Sequence, residues 1–201
     1  GATMQLKAKN LGFGYRKDEW IFRNKDFEIE SGEIVGISGY SGCGKTTFGK
    51  VLCSYYKPIE GSLLLDSAEI TLKDYNPIQM IFQHPEKSVN PRWKMKRILE
   101  EAYTPSEDIL DMLGIEADWM DRWPIELSGG ELQRFCVARA LSPETKFIIA
   151  DEMTTMLDGI TQAKIWESLL EISKAMNIGL VVISHEKELL KKLCDRIEPF
   201  E

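Results

Sequence analysis

The sequence predicts an α/β fold: a mostly parallel sheet covered on both faces, with N-terminal antiparallel β strands ahead of it and an inserted helical subdomain. Three observations predict it. Short apolar runs at Glu33 to Ser38, Phe147 to Ala150 and Ile178 to Ser184 are separated by helical stretches, the pattern of strands buried on both faces. The first thirty residues alternate instead, at Gln5-Leu6-Lys7-Ala8 and Phe27-Glu28-Ile29-Glu30, as half-exposed strands do. From Trp93 to Leu141 the spacing turns helical, with Leu99, Ile109, Met112 and Leu113 among the apolar positions.

Taken in order, Ser31-Gly32 turns the chain into the strand ending at Ser38. A glycine-rich loop follows, then a helical stretch from Thr46 to about Tyr56. Leu63 to Leu65 and Ile78 to Phe82 are further strand candidates, and Ile160 to Met176 reads as an amphipathic helix. The 201 residues fit a single domain spanning 1–201, with a core over about 4–92 and 142–201 and the helical part over about 93–141. Hydrophobic residues make up 43% and charged residues 28%, so disorder is excluded as the main state. The net charge of -7 argues against a duplex-coating protein, and no nucleic-acid partner is expected. No apolar run approaches the roughly 18 residues that span a bilayer. Cys43, Cys53, Cys136 and Cys194 are widely spaced without a Cys-x-x-Cys pair, which favours reduced thiols.

Sheets of this kind bind ligands beyond the carboxyl ends of their strands, and the chemistry-bearing residues cluster there. Gly39-Tyr40-Ser41-Gly42-Cys43-Gly44-Lys45-Thr46 fits G-x-x-x-x-G-K-[ST] at every fixed position, after an apolar strand and before a helix. The glycines let the backbone wrap phosphates with inward N–H groups, and the helix start favours the anion. Lys45 is a point charge for the β and γ phosphates, and the Thr46 hydroxyl is placed for Mg²⁺. Thr47 follows it on the first helical turn. The bland alternative is a glycine-rich turn that happens to contain lysine; both flanking contexts argue against it.

A phosphate loop needs a carboxylate for the metal and a group to position water. Asp151 and Glu152 close the run Phe147 to Ala150: Asp151 to hold the metal, Glu152 as general base. His185, after Ser184, could reach the γ-phosphate or the attacking water, although a surface histidine opening a helix has the same pattern. Gln83, after Phe82, could ligate Mg²⁺ or hold water. Ser128 and Glu131 form an S-x-x-E capping box, which leaves Gly129-Gly130 unexplained. Glycine in a helical turn costs about 1 kcal/mol relative to alanine, so two of them suggest a close approach by a second phosphate. Together these features point to a P-loop NTPase core.

The set resembles the ATP-binding-cassette ATPases from about Tyr15 to His185. In that family an aromatic residue near the N-terminus stacks on adenine, and Tyr15 matches it. Gly39 to Thr46 matches the Walker A loop, Gln83 the Q-loop, Leu127 to Glu131 the signature motif and Phe147 to Glu152 Walker B. Asp158 matches the D-loop and His185 the switch histidine. The resemblance implies ATP and Mg²⁺ as cofactors and a head-to-tail pair of ATPase subunits, identical or paralogous. Ser128, Gly129 and Gly130 would then touch the partner's nucleotide. It also implies integral membrane subunits as partners and a peripheral place at the cytoplasmic face. Gln83-His84-Pro85 with Ser88-Val89-Asn90-Pro91-Arg92 is most similar to importer ATPases for peptides, nickel and metal chelates. The stretch from Pro85 to Arg97, with Trp93 and Met95 among basic residues, is expected to dock on a membrane subunit; the alternative is Trp93 packing into the core of the helical subdomain. Met153, Met156 and Glu131 depart from the commoner residues at their positions without removing a catalytic group. The competing functions are a cytosolic P-loop kinase, which leaves Gly129-Gly130 and His185 idle, and an ATP-gated protein outside transport.

Overall fold

The computed structural model describes residues 3–71 and 75–200. Contacts divide the chain into two compact units: residues 1–80, 146–151 and 177–201 in one, 81–145 and 152–176 in the other. The second unit contains the helical stretch expected over 93–141 and extends beyond it on both sides.

The first unit holds most of both sheets and the phosphate loop. β1 (Gln5–Phe13), β2 (Phe22–Glu30), β4 (Glu60–Leu65) and β5 (Ala68–Glu69) form an antiparallel sheet ordered β2-β1-β4-β5. The alternation in β1 and β2 sends Leu6, Ala8, Phe27 and Ile29 inward, all but closed to solvent. The second sheet runs β6 (Ile78–Ile81), β7 (Phe147–Asp151), β8 (Gly179–Ser184), β3 (Ile34–Ser38), β9 (Arg196–Pro199). β7, β8, β3 and β9 pair in parallel, with Ser38 opposite Ser184 and Asp151 opposite Ile183. That register brings the ends of β3, β7 and β8 to one edge, where the phosphate loop leaves β3. α1 (Lys45–Leu52) packs on this sheet, and Phe48, Val51 and Leu52 join Val35, Ile37, Ile149, Val181 and Phe27 in one apolar core. α6 (Lys187–Leu193) follows β8.

The helix expected from Thr46 to Tyr56 stops at Leu52. Ser54 takes a left-handed φ of 62°, and the amides of Tyr55 and Tyr56 both turn back to the Lys50 carbonyl. Tyr56 instead stacks on Phe13, ring centroids 5.2 Å apart.

The second unit is built from α2 (Met95–Leu99), α3 (Glu107–Met112), α4 (Gly129–Ala140) and α5 (Gly159–Ala175), with short 3-10 turns between them. Met95, Ile98, Leu99, Leu132, Phe135, Ile165 and Leu169 are buried. The buried tryptophans here are Trp119, against Phe135 at 6.4 Å, and Trp166, whose indole N–H donates to the Thr154 hydroxyl at 2.9 Å. Of the apolar positions of that helical spacing, Leu99 and Leu113 are buried and Met112 is exposed.

Candidate active site

In the first unit the site begins with backbone geometry. Gly44 caps α1 with φ 101°, a conformation that side chains disfavour, and a Cβ there would stand 3.0 Å from Ile21 Cγ2. The turn leaves the start of α1 facing the loop, with its first N–H groups unpaired by the helix. Lys45, 5% exposed, folds under the loop and donates to the carbonyls of Gly39 and Tyr40, the latter at 2.8 Å. Its Nζ also lies 3.7 Å from Cys43 Sγ.

Thr46 turns the other way. Its hydroxyl donates to Asp151 Oδ2 at 2.8 Å, joining α1 to the carboxyl end of β7. Asp151 is buried at the end of β7, so its carboxyl sits where water is scarce. Mg²⁺ takes hard oxygen ligands and uses one or two carboxylates with phosphate and water, and a hydroxyl beside a carboxylate fits that donor set. Among the described residues no group of three or more His, Cys, Asp or Glu could hold a metal.

Beside the loop a cavity of about 520 Å³ is lined by Ser38, Gly39, Tyr40, Ser41, His185, Lys187 and Pro199. His185 therefore faces the phosphate loop, as its place after β8 requires. Tyr15 is 59% exposed, and its hydroxyl stands 3.3 Å from that of Thr47. Phe13 and Tyr56 pack edge to face with Tyr15, which orients the ring while leaving area for a base to stack. Tyr40 and Lys187 also line the cavity: Tyr40 fills a variable position of the loop motif, and Lys187 lies two residues after His185.

In the second unit Glu152 follows Asp151 with φ 49°, a left-handed conformation rare for a non-glycine residue. Strain of this kind persists only where the surrounding structure over-determines it. The Thr155 hydroxyl donates to Glu152 Oε2 at 2.7 Å, holding the carboxylate over its own turn. Gln83 is half-buried, after β6.

Ser128 caps α4 and Glu131 closes the box: Glu131 N donates to Ser128 Oγ at 3.1 Å, and Ser128 N to Glu131 Oε1 at 2.9 Å. The two glycines differ. A Cβ on Gly130 would stand 2.6 Å from Thr161 Cγ2 of α5, whereas one on Gly129 would meet only Leu157 at 3.6 Å. Gly130 thus has a packing reason inside the chain, and Gly129 alone keeps the argument from an approaching phosphate. Asp158 caps α5, accepting from Ile160 N, Thr161 N and the Thr161 hydroxyl, and these bonds hold its carboxyl below the usual range.

Gln133 was missed. It is fully buried on α4, and its amide donates to the carbonyls of Phe82 at 2.7 Å and Met153 at 2.6 Å. The sequence signal was a polar residue on the face that carries Leu132 and Phe135.

The family model for ABC transporters matches residues 22–155. The chain belongs to the ABC transporter family. The nickel import system ATP-binding protein NikE of Staphylococcus aureus (strain bovine RF122 / ET3-1) is 35% identical, over 96% of this chain and 84% of its own. Among solved structures, cbiO1 of Clostridium perfringens, part of the ABC transporter complex cbiONQ, aligns with a TM-score of 0.80 and 25% identity over 96% of this chain and 83% of that one. A dimeric ATP-binding cassette in a post-hydrolysis state, bound to ADP and Pi, aligns with a TM-score of 0.80 and 26% identity, covering 96% and 93%. The chain is accordingly an ATP-binding ABC ATPase cassette of a transporter, and the kinase reading falls. Two departures from the cassette pattern now have surroundings. Met153 is buried, with its carbonyl bound to Gln133, while Met156 is 65% exposed.

Proposed function

We propose that this cassette powers an importer of nickel, a metal chelate or a peptide. In this reading it pairs head to tail with a second cassette, identical or paralogous, and docks on integral membrane subunits at the cytoplasmic face. The observation that carries the ATPase half is the Thr46–Asp151 pair, 2.8 Å apart, beside the loop that holds Lys45. The cargo rests on the likeness to a protein named for nickel import. Pairing is supported by the dimeric form of a similar cassette, and membrane docking by the place of cbiO1 in a transporter complex. Among the described residues no helix is long and apolar enough to cross a membrane.

Each residue then has a task. Tyr15 stacks on the base, and the backbone from Gly39 through Ser41, Gly42, Cys43 and Gly44 wraps the phosphates. Lys45 leaves its two loop carbonyls for the β and γ phosphates. Thr46 and Asp151 would hold Mg²⁺, which when bound would neutralise phosphate charge; Gln83 supplies an amide for metal or water. Glu152 takes a proton from the attacking water, and His185 donates a hydrogen bond toward the γ-phosphate. Ser128 and Gly129 bind the partner's nucleotide at the start of α4, while Gly130 lets α4 approach α5 and Asp158 fixes the start of α5.

ATP then binds the closed pair better than the open one, and that difference in affinity drives closure. Glu152→Gln keeps shape and hydrogen bonding but removes the base. With ATP and its proper partner cassette this variant should accumulate as a dimer in light scattering, whereas wild-type protein with ADP should not. A Glu152→Gln protein that stays monomeric under those conditions would sink the shared-site mechanism. The cargo is tested separately, by nickel uptake into vesicles carrying the assembled transporter.

A further inference from the structure

We infer that Gln133 is a positioning residue: one side-chain amide sets the loop that carries Gln83 and the loop that carries Glu152 relative to each other. The inference rests on the roles proposed above for those two residues. Nε2 of Gln133 has two N–H groups, and both are used. One goes to the Phe82 carbonyl, immediately before Gln83, and the other to the Met153 carbonyl, immediately after Glu152. The orientation is determined by its partners, because a flipped amide would set Oε1 against two carbonyl oxygens.

The cost of the arrangement is visible in the same side chain. Oε1 is buried and has no hydrogen-bond partner among the described residues. A buried acceptor left unpaired is destabilising, and a methionine or leucine would fill similar volume on a face otherwise lined by Leu132, Phe135 and Val137 without that penalty. What only glutamine supplies is the forked pair of donors, at the reach both carbonyls need. The loops also need such a fastening. Glu152 sits in a strained left-handed turn, which persists only where its surroundings over-determine it, and the Met153 carbonyl is the next acceptor along that turn. Gln133 lies on α4, the helix that starts at Ser128-Gly129-Gly130. Any displacement along that helix therefore reaches both loops through one residue.

The test uses Gln133→Leu and Gln133→Met in the assembled transporter. Without the two donors, kcat for ATP should fall about tenfold to a hundredfold, the loss expected when catalytic groups are misplaced by about 1 Å. KM for ATP should stay within about twofold, since Lys45 and Thr46 are untouched. The thermal midpoint should change little, since relief of the unpaired Oε1 offsets the two carbonyls that lose their donors. Amide hydrogen exchange should quicken together at residues 82–84 and 152–154. A kcat within about twofold of wild type in both variants overturns the inference. So does a loss of kcat that tracks a lowered midpoint, and Gln133→Met serves if Gln133→Leu does not fold. Glu152→Gln and Gln83→Ala are measured alongside. If neither impairs hydrolysis, the site reading has failed and this inference with it; if both do and the Gln133 variants do not, positioning alone is wrong.

Discussion

At the residue scale the four cysteines are the sharpest contrast. Burial pushes the thiols of Cys53 and Cys194 up to about 11 and that of Cys136 up to about 12, so at neutral pH all three stay protonated and inert. Cys43 is half-buried in the phosphate loop, 3.7 Å from the Lys45 ammonium. An alkylating reagent at pH 7.4 should therefore modify Cys43 first. The adduct should abolish ATP binding, and MgATP should slow the labelling. Peptide mapping of the labelled protein, with and without MgATP, checks both; equal rates would count against a nucleotide seated on this loop. Lys45→Ala removes the only buried ammonium described in the loop, and ATP binding measured by calorimetry should weaken strongly.

At the element scale the starts of α4 and α5 are coupled through Thr161. Its methyl fills the space that a Cβ on Gly130 would need, and its hydroxyl donates to Asp158 at 2.8 Å, so it cannot swing away freely. Gly130→Ala should destabilise by about 1–3 kcal/mol through overpacking, against a helix-propensity gain of about 1 kcal/mol. Adding Thr161→Ser removes the methyl and should recover most of the loss in urea unfolding. Asp158 gives a pH signature. Its carboxyl is held below the ordinary value by the bonds from Thr161 and Ile160, so its capping contribution is present above the unfolded pKa and is lost as pH falls through the lowered folded pKa. Asp158→Asn keeps a capping oxygen and should flatten that part of the acid unfolding curve, read by melting at successive pH values. Capping boxes and apolar periods are local, and so these helix starts were legible in the sequence at Ser128 and just before Ile160. The end of α1 was not, because the stacking of Tyr56 on Phe13 is a long-range contact.

At the scale of the whole molecule, function depends on surfaces that local pattern describes poorly. Trp93 was expected on a docking segment, with core packing as its alternative. It is half-buried, with Arg97 stacked 3.9 Å over its ring, beside a cavity of about 510 Å³ that Glu100 and Met120 also line. The buried tryptophan of that neighbourhood is Trp119. Trp93→Ala should therefore leave folding and the ATPase activity of the isolated cassette near normal, while transport by the assembled complex falls several-fold. A collapse of the thermal midpoint would return Trp93 to the core. By itself the sequence determined the α/β class, from the order of apolar runs and helical stretches along the chain, and the phosphate loop, the acid pair at the end of β7 and the helix cap at Ser128, each written in spacing over fewer than about ten residues. The tertiary structure decided the rest. It gave Gly130 a neighbour in α5, drew Thr46 to Asp151 across the sheet edge and set Gln133 between two loops. Those relations join residues far apart in the chain, and close packing alone settles which of them meet.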